Sequence, residues 1–109
     1  GGRAECTYSR FYDPTINSPV EASFCAEIAQ SLFGIENVDT NTSPTMGAED
    51  FGAMLREKSG CYIFFGQGEE ETESPHNFGL HHPRYDFNDA ILPDAIRYFV
   101  ALAEKKLTA

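Results

Sequence analysis

Cys61-Tyr62-Ile63-Phe64-Phe65 is a continuous apolar run, with Ser59-Gly60 before it and Gly66-Gln67-Gly68 after it. A short run with no polar interruption is the mark of a strand covered on both faces, as in sheets with helices on each side. Upstream of it, Ser18 is a good N-cap, Pro19 suits the first helical position, and Glu21 completes a capping box with Ser18. Val20, Phe24, Ile28 and Leu32 recur every four residues, and Cys25, Ala29 and Phe33 widen that stripe. The pattern predicts a core-facing helix, with Gly34 as its C′ residue. Downstream, Pro93 to Lys106 reads as a helix whose inner face is Ile96, Phe99, Val100, Ala103 and Leu107.

The remaining segments fill in around these. Ala48 to Lys58 predicts a helix with Glu49 and Asp50 at its positive end and Arg56 and Lys58 at its negative end. Its inward residues are Phe51, Met54 and Leu55. Ile35 to Asp39 is a short strand candidate, and Thr40 to Pro44 is a loop. Arg3 to Tyr12 alternates, with Ala4, Cys6, Tyr8 and Tyr12 on one face, so it reads as a half-buried antiparallel strand. Asp13-Pro14 stops it. Strands alternating with helices predict an α/β fold, with helices packed on a mixed sheet. The first strand is amphipathic and the 61–65 run is not, so the two can belong to different sheets.

Composition narrows the partners. A chain of 109 residues is one domain at most. It carries 8 basic and 17 acidic residues, a net of −9. Nucleic acid and anionic membrane surfaces are therefore poor partners, since both are bound through Lys and Arg. No apolar run approaches a membrane span. The start Gly1-Gly2-Arg3-Ala4-Glu5 lacks a signal-peptide core and a Met, which suggests a processed or excised piece. Cys6, Cys25 and Cys61 lack CxxC spacing, which fits free thiols in a reducing cytoplasm better than a disulfide framework or a cysteine zinc site. Glu69 to Ser74 reads as a solvated acidic loop.

The chemistry-bearing residues cluster in two stretches. Phe78 to Asp89 holds His81, His82, Arg84, Tyr85 and Asp86, and His76 lies just before it. Imidazole is the commonest metal ligand, but adjacent residues in an extended segment point opposite ways, so at most one of His81 and His82 would reach a given metal. Pro83 favours extended backbone at His82. On spacing alone, loop histidines without a role are the plainer reading. The second stretch is Met46-Gly47-Ala48-Glu49-Asp50. Here acidic residues at a helix start are expected for dipole reasons alone. The functional alternative has Met46 and Gly47 presenting backbone N–H groups to an anion, with Glu49 or Asp50 orienting neighbouring groups. Asp86, Asn88 and Asp89 read as capping and turn residues, and Tyr85 and Phe87 as core or pocket wall. A nucleophile motif, a phosphate loop, CxxC and HExxH are all absent from the sequence.

Taken in order, Pro44-Thr45-Met46-Gly47-Ala48-Glu49-Asp50-Phe51, then Gly60-Cys61-Tyr62-Ile63-Phe64-Phe65-Gly66, then Leu80-His81-His82-Pro83 through Asp86-Phe87-Asn88-Asp89-Ala90-Ile91-Leu92-Pro93, resemble the C-terminal end of a known family. It is the family of aminoacylases, hippurate hydrolases and auxin-conjugate hydrolases, within the zinc-peptidase superfamily. Tyr12-Asp13-Pro14-Thr15-Ile16-Asn17 is similar to that family's exit from its lid domain. The resemblance implies a catalytic α/β domain with two divalent metal ions, zinc or manganese, interrupted by a lid domain that often dimerises.

On this reading residues 1–14 are the last strand of the lid or dimerisation domain, and residues 15–109 are the C-terminal portion of the catalytic domain. His81, which follows the Leu of Leu-His-x-Pro, takes the place of a metal ligand. Met46, Gly47, Glu49, Asp50 and His82 become pocket or supporting residues. The family's other ligands and its general-base glutamate lie in a part of the catalytic domain that this sequence does not contain. The expectation is thus part of a metal-dependent amidohydrolase acting on N-acyl amino acids or related conjugates, homo-oligomeric, and inactive as an isolated fragment. The alternatives are a stand-alone acidic α/β binding module without activity, or a proteolytic product with no function of its own.

Overall fold

The computed structural model describes residues 1–70 and 73–108, so Glu71 and Thr72 of the expected acidic loop lie outside the described residues. Among the described residues the regular elements are α1 (Pro19–Phe33), α2 (Phe51–Glu57) and α3 (Leu92–Leu107), with 3-10 turns at Ile35–Asn37, Pro75–Asn77 and Asp89–Ile91. The described residues contain no β-strand, which overturns the expected α/β fold with its mixed sheet. The segments expected as strands over 3–12 and 61–65 have no regular structure, and the one expected over 35–39 is mostly a 3-10 turn. The physical reason is that a strand exists only through a ladder with a neighbour. Alternation and β-branched or aromatic content give a segment the means to pair but supply no partner.

The 61–65 run shows how its backbone is satisfied instead. The Asn17 carboxamide accepts from the Tyr62 N–H at 2.7 Å and donates to the Tyr62 carbonyl at 2.8 Å. One side chain thereby does what a neighbouring strand would do. A second tie lies alongside: Ser18 N–H donates to the Gly60 carbonyl at 3.0 Å, and Gly60 N–H donates to Ser18 Oγ at 3.1 Å. Ser59 Oγ donates to the Glu21 carboxylate at 2.8 Å. The capping box expected at Ser18 and Glu21 is therefore not formed. Ser18 makes no side-chain cap, because both side chains are bonded to residues 59–60. Pro19 still opens α1, and Gly34 still follows it, at φ 89°, where a side chain would be strained.

The side chains of the run alternate between two aromatic groups. Tyr62 meets Phe51 of α2 at 5.5 Å between ring centroids and Phe64 at 5.4 Å. Phe65 meets Phe33 of α1 at 6.2 Å and Tyr98 of α3 at 5.6 Å. Tyr98 is the centre of this second group: it is 1% exposed, and its hydroxyl donates to the Cys25 carbonyl at 3.2 Å. Among the described residues Ile28 is the other buried large apolar side chain. The inner face expected for α3 is corrected accordingly. Ile96, Phe99, Val100 and Leu107 are exposed, and α3 packs on α1 through the side that carries Tyr98. α2 begins later than expected, at Phe51, and its Gly52 is buried close against residues 13–15. A Cβ there would lie 3.0 Å from the Asp13 carbonyl oxygen.

The core is small for the chain. A folded monomer of this mass exposes about 6,000 Å², and one of this length has a radius of gyration of about 13 Å. This chain exposes 9367 Å² and has a radius of gyration of 18.1 Å. Every residue from Gly1 to Pro14 is exposed, including Cys6, Tyr8, Phe11 and Tyr12.

Cys25 and Cys61 face each other between α1 and the run, as free half-buried thiols. Burial, and then the neighbouring Cys25, push the Cys61 thiol from 9.0 up to about 11. At pH 8 only about one Cys61 in a thousand is thiolate, so it is a poor nucleophile. A disulfide-exchange reagent at pH 8 is therefore expected to label exposed Cys6 well before Cys61, read by mass spectrometry of the labelled peptides. Equal rates would contradict this packing. The folded chain holds the Cys61 proton more tightly than the unfolded one does. That contribution to stability is complete below about pH 9 and is lost as pH rises toward about 11.

Candidate functional site

The histidine stretch is built from two consecutive turns. His82 N–H donates to the Gly79 carbonyl at 3.2 Å, and Tyr85 N–H donates to the His82 carbonyl at 2.9 Å. In the first turn His81 is the third residue, and its φ is 70°. That is the position of a type II turn that requires positive φ and that glycine normally fills. A β-carbon there costs on the order of 1–2 kcal/mol. Pro83 takes the second position of the next turn, where its fixed φ is favourable. His81 thus lies between the two turns. It is exposed, and its imidazole has no hydrogen-bond partner among the described residues.

The other two histidines are occupied, in opposite ways. His82 stacks on Phe78 with centroids 4.2 Å apart and planes within 4°, and Arg84 also lies over the Phe78 ring at 4.2 Å. Arg84 N–H donates to His82 Nδ1 at 3.1 Å. A nitrogen that accepts a hydrogen bond carries no hydrogen, so neutral His82 has its hydrogen on Nε2 and offers a donor there. His76 Nδ1 lies 3.0 Å from the Asp86 carbonyl oxygen, and the Asp86 carboxylate is 4.0 Å away. A carbonyl only accepts, so here Nδ1 carries a hydrogen.

Both ends of the stretch are tied to residues 67–69. Gln67 Nε2 donates to the carbonyls of His76 and Asp86, at 3.1 and 3.2 Å. Gln67 Oε1 accepts from the Tyr85 hydroxyl at 3.2 Å and from Asn88 N–H at 3.4 Å. Asn77 bridges Glu69, accepting from its N–H at 2.8 Å and donating to its carbonyl at 3.0 Å. Gly68 leaves room for this, since a Cβ there would lie 2.9 Å from Asn77 Oδ1. Asn88 caps the turn before α3 by accepting from Ala90 N–H at 3.0 Å, as expected of it.

The second stretch is partly engaged. Glu49 accepts from Phe51 N–H at 3.1 Å with one carboxylate oxygen and from the Tyr62 hydroxyl at 3.1 Å with the other. Glu49 therefore ties the start of α2 to the apolar run. Its hydrogen bond holds the proton on Tyr62 and, with burial, raises the phenol above its usual range. Asp50 is exposed, and its carbonyl accepts from Ala53 N–H at 2.9 Å. Met46 is fully exposed, and Gly47 has open space around it.

Among the described residues no three His, Cys, Asp or Glu side chains gather to hold a metal ion. A zinc-type ion takes three or four protein ligands. His81 has the right donor chemistry and is unpartnered, but this donor set alone does not make a metal site. No helix among the described residues is long and apolar enough to cross a membrane.

Residues 3–105 match the profile of peptidase family M20/M25/M40. The chain belongs to peptidase family M20. The M20 chain is 36% identical over 85% of its length to the hippurate hydrolase of Campylobacter jejuni, of which the match covers 22%. It is 29% identical over 94% of its length to YhaA of Bacillus subtilis (strain 168), named as an amidohydrolase, of which the match covers 25%. It is 34% identical over 78% of its length to an N-acetyldiaminopimelate deacetylase of Streptococcus gordonii, of which the match covers 20%. The M20 chain thus spans about a quarter or less of the length of the curated relatives it matches. No solved structure matches it.

Sequence reading missed two residues that organise this region, Asn17 and Gln67. Each is a lone carboxamide at the rim of an apolar or turn segment. The only local signal was the glycine on either side of Gln67, which marks a place where side chains must come close.

Proposed function

We propose that this chain is the C-terminal part of the catalytic domain of a metal-dependent amidohydrolase that cleaves the amide bond of N-acyl amino acids or related conjugates. The observation that carries this over a stand-alone binding module is the surface. Among the described residues Ile28 and Tyr98 are the buried large apolar side chains, while Phe64, Ile96, Phe99 and Val100 remain half or more exposed. A self-sufficient module of this size would cover most of these side chains. Membership of the family, and the hydrolase names of the relatives, fit the same reading.

On this reading His81 supplies one ligand to a site of two divalent ions, zinc or manganese, whose other ligands come from outside these residues. Its exposed, unpartnered imidazole supports that role. Glu49 braces α2 against Tyr62, His82 offers a ring N–H beside His81, and Met46, Gly47 and Asp50 form pocket wall. Residues 1–14 belong to a lid or dimerisation domain and residues 15–109 to the catalytic domain. The wholly exposed 1–14 stretch, leading into a 13–15 segment packed on Gly52, supports that boundary. The free thiols fit a cytoplasmic setting, the acidic charge fits neither nucleic acid nor membrane as partner, and the exposed apolar surface fits a homo-oligomer. The isolated 109 residues are inactive.

The test is to isolate the protein that carries this chain, weigh it intact, measure bound transition metal and assay release of the amino acid from benzoyl- and acetyl-amino acids. A mass several times that of these residues, up to two metal ions per chain and amide hydrolysis are the expected results. A mass of 109 residues with neither metal nor hydrolysis would leave the binding module.

A further inference from the structure

We propose that Gln67 is the positioning residue for His81, acting by closing the segment 76–88 into a loop of set shape. A carboxamide offers two N–H donors and an oxygen with two lone pairs. Gln67 uses all four: both hydrogens go to carbonyls, of His76 at 3.1 Å and Asp86 at 3.2 Å, and the oxygen accepts from the Tyr85 hydroxyl and Asn88 N–H. These partners lie on both sides of His81 in the sequence. A single side chain therefore brings the entry and exit of the loop together, and the His76 ring adds a further link to the Asp86 carbonyl at 3.0 Å. The Asn77–Glu69 bonds, the Asn88 bond to the Gln67 backbone carbonyl at 3.2 Å and the Phe78–His82 stack hold the loop besides, but none of them is made by the Gln67 side chain. His81 is held in a positive-φ conformation it would not choose, and such strain persists only where the surroundings over-determine it. Residues that hold a metal-binding side chain in place typically change affinity 10–100-fold when removed.

The inference rests on the reading of His81 as a metal ligand, and the test separates the two. In the whole protein, Gln67→Leu removes all four bonds, Gln67→Glu keeps the two accepting ones, and Ile28→Val, on α1, is a stability control outside the loop. Amide hydrogen exchange over residues 76–88 and metal affinity are measured for each, together with Tm. Gln67→Leu is expected to speed exchange across 76–88 and weaken metal binding 10–100-fold, with Gln67→Glu intermediate. Ile28→Val should leave both unchanged. Unchanged exchange over 76–88 in Gln67→Leu overturns the proposal, as does an equal metal loss in Ile28→Val. If His81→Ala keeps its full metal content, the reading of His81 fails. Exchange over 76–88 then still decides whether Gln67 shapes the loop.

Discussion

His81→Ala is expected to remove metal and hydrolytic activity together from the protein that carries this chain, without lowering the thermal stability of its metal-free form. The two halves of that expectation have separate causes. A ligand contributes directly to holding the ion, so the loss of activity should exceed the roughly 10–100-fold that changes around a ligand bring about. Stability, by contrast, has little to lose. The imidazole is exposed, has no hydrogen-bond partner among the described residues, and sits on backbone at φ 70°. His81→Gly sharpens the test. Glycine relieves a strain of order 1–2 kcal/mol while adding somewhat less than that in unfolded-chain entropy. Compared without metal, that variant should melt at the same temperature as the parent or higher, yet be as inactive as the alanine variant. Metal analysis beside a thermal melt checks both. A His81→Ala protein that keeps its metal, or one that loses metal only because it unfolds, would contradict the assignment.

Tyr98→Ala should have the largest effect on folding, about 3–5 kcal/mol by denaturant titration. Tyr98 is 1% exposed and touches Phe33, Phe65 and Phe99, with ring centroids 5.6 to 6.5 Å apart. It is the place where α1, α3 and the apolar run meet. Small domains are stable by only about 5–15 kcal/mol in all, and this one has few buried residues to share the loss. Tyr98→Phe isolates the hydroxyl. It gives up the bond to the Cys25 carbonyl and should cost about 1 kcal/mol. A cost below 1 kcal/mol for Tyr98→Ala would mean that the cluster is not the centre of the fold.

How far this was legible in the sequence depended on whether a feature was local. Pro19, the four-residue stripe and Gly34 set α1 to the residue, and α3 runs one residue beyond expectation at each end. These signals act within one or two turns of chain. The strands failed because pairing is a property of two segments, and the pattern of one says nothing about the other. The capping box failed because Ser18 and Glu21 had better partners at 59–60. The face of α3 was misread because that amphipathic helix carries more apolar residues than one packing face uses, so only packing against α1 could choose Tyr98. Within the candidate site, the residue types of the loop were legible. The turn that strains His81, and the carboxamide that closes the loop, depend on contacts between segments well apart in the chain.

Asn17 has a consequence of a different kind. Cys61 to Phe65 combines high β-propensity, no charge and no proline, the composition of segments that zip into fibrils. Its hydrogen-bonding groups at Tyr62 are already taken by the Asn17 amide, so another copy of the same segment cannot add to that edge there. Asn17 therefore acts as a gatekeeper. It blocks pairing at the middle of an apolar, uncharged run with one side chain, where natural proteins more often station a charge or a proline.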